Sequence, residues 1–355
     1  MAKSDRTTLA EIAREANVAI STVSKVLNGH TDVAVSTRLR IERLLAEHSY
    51  RRTPAARRTA GRAGLIDLVT DEPDSLWGLE VLAGVSTAAQ DLGLGLIVSA
   101  AHYLPAAGRR RPEMLLPRGS EGAILALSAL TERQRLDLDR RTIPFVLVDG
   151  AAQAPPGAFS IGATDFAGGY VAAEHLIRLG HHRIGMIGGP RHSPYARARG
   201  AGYRAALDSA GLAVDPLLVQ AGELGHHGGL QAAGLLLGLD DPPTAIFAVD
   251  DQLASGACEA VRRAGLATPG DISVVGFGDL PFASWMAPPL TTVRQPLREM
   301  GVTAARTLLR IVGDERLMSS RIELATELIV RASTAPPGGE GRPGRPSRRQ
   351  SERNS

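Results

Sequence analysis

Ser21, Ser24, Lys25 and Asn28 fall on the outward face of a short helical pattern that begins near Ile20. Hydroxyl, ammonium and amide groups so spaced can bond base edges and phosphates, the chemistry of a helix laid in the DNA major groove. The same pattern turns Val23, Val26 and Leu27 inward. A second pattern precedes it within residues 7–29, TTLAEIAREANVAISTVSKVLNG. There Thr8 can cap a first helix, and Glu11 follows at the spacing where hydroxyl and carboxylate each satisfy an orphan amide. Leu9, Ile12 and Ala13 recur at helical spacing and form one buried stripe. Asn17 can end this helix, since Asn tolerates left-handed backbone, and Val18 fills the turn. Two short helices joined by a tight turn make a helix-turn-helix.

The elements behind this motif follow from composition and patterning. With 355 residues and 44% apolar content, the chain can build two or three compact units. Its net charge of +3 is unevenly placed. Residues 1–62 carry twelve Lys/Arg against six Asp/Glu, residues 334–355 five against two, and the stretch between 23 against 29. A basic end on an acidic body confines attraction for a polyanion to one region. Cys258 is the lone cysteine, which excludes an intrachain disulfide and suits a reducing cytoplasm. The N-terminus lacks a secretory apolar stretch and no window approaches about 18 apolar residues, so a cytoplasmic protein without a membrane partner is expected.

A third helix over about 36–48, carrying Leu39, Ile41, Leu44 and Leu45, can close a three-helix headpiece over 7–52, with Tyr50 at its end. In 51–64, RRTPAARRTAGRAG, Thr53 can cap, Pro54 can take the first helical position, and Gly61 and Gly64 can end the segment. From Leu65 the runs LIDLV, LGLIVS, GAILAL, FVLVD, IGMIG, TAIFAV and ISVVGF alternate with helical patterns. Continuous Val/Ile/Leu runs between helices indicate parallel strands buried on both faces, hence an α/β core over 63–333. Trp77, just beyond the first strand, can stack on the flat face of a ligand, as ligands of such sheets lie beyond strand C-termini. Residues 334–355 are rich in Pro, Gly, Arg and Ser and are expected to be a disordered, solvated tail. His181 and His182 read as structural, because no ligand set accompanies them at zinc spacing. No Gly-x-Gly-x-x-Gly follows a strand and no GKS/T loop occurs, so neither an enzyme nor a bound cofactor is expected.

VAISTVSKVLNG, with residues 36–50 behind it, closely resembles the DNA-binding headpiece of the lactose-repressor (LacI/GalR) family of transcriptional regulators. The resemblance continues through HLIRLGHHRIGMIGGP (175–190), RGAGYRAAL (199–207), DISVVGFGDL (271–280) and PPLTTVRQP (288–296), covering roughly 7–337. It implies two doubly wound lobes like those of periplasmic sugar-binding proteins. The first lobe would comprise about 63–161 and 292–333, the second about 162–291. It casts residues 53–62 as a hinge helix that orders when two subunits sit on operator DNA.

By the same resemblance Ile20, Ser21 and Lys25 are base-contact candidates: Ile20 for a thymine methyl, Lys25 for guanine O6 or N7. Thr22, Ser24 and Asn28 suit phosphates, and Thr8 at the head of the motif is a further DNA-binding candidate. Ala19 stands where the family commonly has serine, removing a cap worth about 1 kcal/mol. Thr59 replaces a wedging leucine, leaving Arg57 and Arg58 to hold phosphates or a narrowed minor groove. Arg199 matches the effector-binding arginine, and Asp250 a position that usually carries asparagine. Asp165 occupies another ligand position, and Gly278 displaces an aspartate, leaving Asp279 as the nearest acid. Phe166 and Trp285 are further stacking candidates. The resemblance thus implies a homodimer that binds a pseudo-palindromic operator and responds to a small sugar or oligosaccharide. A purine-like corepressor is the alternative within the class, and an uptake sugar-binding protein the alternative outside it. No heptad-rich C-terminal helix is present to join dimers.

Overall fold

The computed structural model describes residues 9–27, 33–48, 64–70, 75–100, 120–127, 143–149, 157–190 and 193–338. Contacts divide the chain into two compact units, Met1–Arg62 and Ala63–Ser355. In the first, α1 (Leu9–Glu15), α2 (Ile20–Leu27) and α3 (Val35–Glu47) enclose Ile12, Ala16, Val23, Val26, Ile41 and Leu44. Past the end of α1, Asn17 at φ 51° takes left-handed backbone, and the Val18 amide reaches back to the Ala13 carbonyl at 2.9 Å. Ala19 opens α2, where its carbonyl accepts the Thr22 and Val23 amides at 2.9 and 3.3 Å and its methyl supplies no cap. Leu39 departs from expectation and is 61% exposed. Two residues before the buried Ile41, it falls on the opposite side of a 3.6-residue helix. Thr8, the Leu27 side chain, Asn28, Tyr50 and the segment 53–62 lie outside the described residues.

The second unit holds two six-stranded sheets among the described residues. One contains β1 (Leu65–Thr70), β2 (Gly95–Ala100), β3 (Gly122–Ala126), β4 (Phe145–Val148), β5 (Phe159–Ala163) and β11 (Arg321–Leu324). Its order is β11-β5-β4-β3-β1-β2, all parallel. The other contains β6 (Ile184–Gly188), β7 (Val219–Ala221), β8 (Ala245–Ala248), β9 (Ser273–Gly278), β10 (Thr291–Arg294) and β12 (Glu327–Ile329). Its order is β12-β10-β9-β8-β6-β7, parallel except where β12 runs against β10. The strands GAILA, IGMIG and AIFA are buried throughout, as apolar runs without alternation require. Helices α4 (Leu76–Asp91) and α9 (Leu297–Val312) contribute to the first core. Helices α5 (Asp165–Arg178), α6 (Pro194–Ser209), α7 (His226–Leu237) and α8 (Asp251–Arg263) build the second.

The lobes interleave more finely than expected. Chain passes between them after β5, after β10 and after β11. The sequence reading put 292–333 wholly in the first lobe, yet β10 pairs with β9 and β12 returns to β10 in the second sheet. Residues beyond β12 stay with that lobe: Ser333 Oγ donates to the Val274 carbonyl at 2.6 Å, and the Ala335 amide donates to Ser273 Oγ at 3.0 Å. Buried His181 donates from Nε2 to the Ala335 carbonyl at 2.9 Å, a structural role. Residues 334–338 therefore belong to the folded core rather than to the expected tail, and 339–355 lie outside the described residues.

Candidate functional site

In the headpiece, packing of Val23 and Val26 against Ile12 and Ile41 fixes which face of α2 looks outward. Ile20 is 52% exposed, and Ser21 and Lys25 are exposed, so the three predicted base-contact residues share accessible surface on one helix. Thr22 and Ser24 are half-buried beside them. Ile20 thus leaves apolar surface at the start of this helix. Arg57 and Arg58, like Thr8 and Asn28, lie outside the described residues.

A cavity of about 150 Å³ lies between the two lobes of the core, with Arg199 in its wall. The arginine is placed by α6, which lies so close to α5 that a Cβ at Gly169 would collide with the Arg199 carbonyl, and one at Gly202 with the Phe166 carbonyl. That approach brings the first turn of α5 to the guanidinium: Arg199 Nε donates to Asp165 Oδ1 at 2.8 Å. Nη1 donates to the Val249 carbonyl at 2.8 Å and Nη2 to Gln295 Oε1 at 3.2 Å. The guanidinium carbon lies 3.7 Å from the Phe277 ring centroid and 4.8 Å from that of Tyr195, a cation–π enclosure. Arg199 is 3% exposed. Burial opposes its charge, but Asp165 and Asp149 outweigh that and hold its pKa above the ordinary value.

Two further carboxylates line the cavity, one from each lobe. Asp149 follows β4 at φ 61° and accepts from Gln295 Nε2 at 3.3 Å. Burial and then the charge of Asp165 push its pKa up to about 6, against the pull of Arg199. Asp250 caps α8, its Oδ1 accepting the amides of Gln252 and Leu253 at 2.7 and 3.3 Å. Burial raises its pKa too, opposed by the Gln252 amide and Arg199. Gln295, just after β10, thus bridges Asp149 of one lobe and Arg199 of the other.

Trp77, Arg199 and Asp250 line the cavity, while Asp165 supports it from behind Arg199. Phe166, Asp279 and Trp285 are not brought to it. Phe166 is exposed on α5, and Trp285 is 78% exposed. Asp279, at φ 55°, is held by Arg294 Nε at 2.8 Å and Arg331 Nη2 at 2.6 Å, which fixes the loop after β9 instead of offering an acceptor to a ligand. Sequence reasoning missed Asp149, Tyr195, Phe277 and Gln295. For Asp149 a signal existed: it is an acid at a strand C-terminus, in FVLVDG. The role of Gln295 depends on the lobe crossing and had no local signal.

A helix-turn-helix unit and a two-lobed α/β core whose cleft carries buried charged groups together define a ligand-responsive DNA-binding regulator. Residues 8–53 match the family described as bacterial regulatory proteins, lacI family, and residues 173–334 the periplasmic binding protein-like domain. The HTH-type transcriptional regulator MalR of Streptomyces coelicolor is 37% identical over 95% of this chain and 99% of its own length. Among solved structures, the transcriptional regulator CelR–cellobiose complex is similar at 28% identity and TM-score 0.69, covering 92% of this chain and 100% of that one. The lac repressor dimer bound to operator and the anti-inducer ONPF is similar at 29% identity and TM-score 0.68, covering 93% and 100%. The chain belongs to the lacI family of bacterial regulatory proteins. Among the described residues no helix is long and apolar enough to cross a membrane.

Proposed function

We propose that the protein is a dimeric repressor of sugar-utilisation genes that leaves its operator when a small sugar or oligosaccharide occupies the cleft between the lobes. The observation that carries this reading is the cleft itself, where buried Arg199 and carboxylates from both lobes converge beside Trp77. Fixed donors and acceptors next to an aromatic ring suit a pyranose, whose hydroxyls donate and accept around an apolar face. Because both lobes contribute, a ligand stabilises the arrangement that brings them together, and it shifts operator binding by its differential affinity for the two forms. The solved CelR complex with cellobiose supports the ligand class, and the operator-bound lac repressor dimer supports paired headpieces.

In this reading Ile20, Ser21 and Lys25 touch base edges and Thr22 and Ser24 touch phosphates, joined by Thr8, Asn28, Arg57 and Arg58. Trp77, Asp149, Arg199 and Asp250 hold the effector. The test is binding of the purified protein to a pseudo-palindromic sequence from its own upstream region, with glucose, maltose, cellobiose and ribose titrated into the preformed complex. Release by one sugar is expected, and Lys25→Ala should weaken specific binding about tenfold or more. Failure to bind any DNA at low salt overturns the reading.

A further inference from the structure

Resting on that sugar reading and deepening it, we infer that the cleft accepts an uncharged polyol and rejects its phosphorylated or carboxylated counterpart, and that Asp250 sets this choice. Among the described residues lining the cavity, Arg199 is the one cation. Its charge is already compensated by Asp165 at 2.8 Å, and three of its N–H groups are engaged by Asp165, the Val249 carbonyl and Gln295. The rings of Tyr195 and Phe277 lie against the guanidinium. What remains is a pair of N–H donors, enough to bond neutral oxygens but without uncompensated charge for an anion.

The acceptors outnumber it. Asp149 enters from the first lobe and Asp250 from the second, so with Asp165 three carboxylates face one guanidinium. Asp250 commits Oδ1 to the two amides it caps, leaving Oδ2 for the hydroxyl of a ligand. A hydroxyl satisfies such an acceptor by donating to it. A phosphate or carboxylate cannot donate when ionised, and it would meet like charge in a desolvated site, where repulsion is several-fold stronger than in water. An asparagine at position 250 would keep the cap and remove the charge.

The experiment is thermal melting and calorimetric titration of the full-length protein at constant ionic strength. The probes are glucose, maltose and cellobiose, the 6-phosphates of each, and glucuronate. A neutral sugar should bind at least about 100-fold more tightly than its phosphorylated form, and Asp250→Asn should narrow that gap about tenfold or more. Glucuronate discrimination should also weaken at pH 5, where Asp149, with its value near 6, takes up a proton. An anion that binds as well as its neutral parent overturns the charge selectivity while leaving a sugar effector standing. A gap that neither Asp250→Asn nor pH 5 changes removes the role given to these carboxylates. If no sugar, charged or neutral, shifts melting or releases heat, the sugar reading itself fails, and the selectivity with it.

Discussion

Arg199 carries two burdens at once, because it is both a wall of the cleft and the counter-ion of the half-buried Asp165. Removing it leaves Asp165 without its partner and the buried Val249 carbonyl without its donor, which costs stability. Arg199→Ala is therefore expected to lower the unfolding midpoint of the core and to abolish release from operator by sugar, read by denaturant unfolding and by operator titration. Asp149 predicts the opposite sign. Its pKa in the fold is about 6 against an ordinary 3.8, so the folded state binds the proton more tightly and ionisation costs stability. That cost grows as pH rises from about 4 to about 6 and is complete above it. Asp149→Asn should accordingly raise the melting temperature at pH 7.5, with the gain shrinking toward pH 4. The carboxylate is retained at the expense of stability, as expected of a group kept to accept a ligand's hydrogen bonds.

At the scale of elements, the short helix α2 begins without a side-chain cap, since Ala19 offers only its carbonyl. Ala19→Ser should stabilise the headpiece by about 1 kcal/mol, seen as slower amide exchange in α1 and α2 of the full-length chain. The loop after β9 does a different job. Leu280 donates its amide to Asp251 Oδ2 at 2.8 Å and buries its side chain in the core of the first lobe, while Ala283 belongs to the core of the second. Leu280→Ala should cost about 2–5 kcal/mol in core stability and weaken sugar binding, because Leu280 also lines the cavity. Such elements differ in how far sequence reveals them. The turn at Asn17 and the buried stripe of α1 are local, set by caps and a 3.6-residue period, and were readable. The clamp of Asp279 by Arg294 and Arg331 was not, since it joins residues 15 and 52 positions apart through the register of β9, β10 and β12. Trp285 was misjudged because a tryptophan in a strand-end loop reads the same whether it points into a cleft or into solvent. Gln295 carries no local signal, because its place in the cleft depends on a chain crossing that brings Asp149 of one lobe and Arg199 of the other to its two ends.

At the scale of the molecule, the three lobe crossings set the order in which the protein can be completed. The first lobe begins with β1 but lacks its buried helix α9 and its edge strand β11 until residue 324 has been made. The second lobe waits for β12 and the segment through Ala335. The headpiece, with an apolar core of its own, is finished hundreds of residues earlier. At ordinary synthesis rates of about 5–20 residues per second, tens of seconds pass between the two events. A growing chain thus carries a complete DNA-reading unit before it owns either half of its sensor. A chain released before α9 should keep the headpiece but lack Leu297, Met300, Ala304, Ala305 and Leu308 of the first lobe's core; limited proteolysis of a version ending at residue 290 should leave a resistant headpiece fragment and degrade the first lobe. Translation itself therefore runs from reader to sensor, and a stop codon ahead of α9 strips the first lobe of its core without touching the helices of the headpiece.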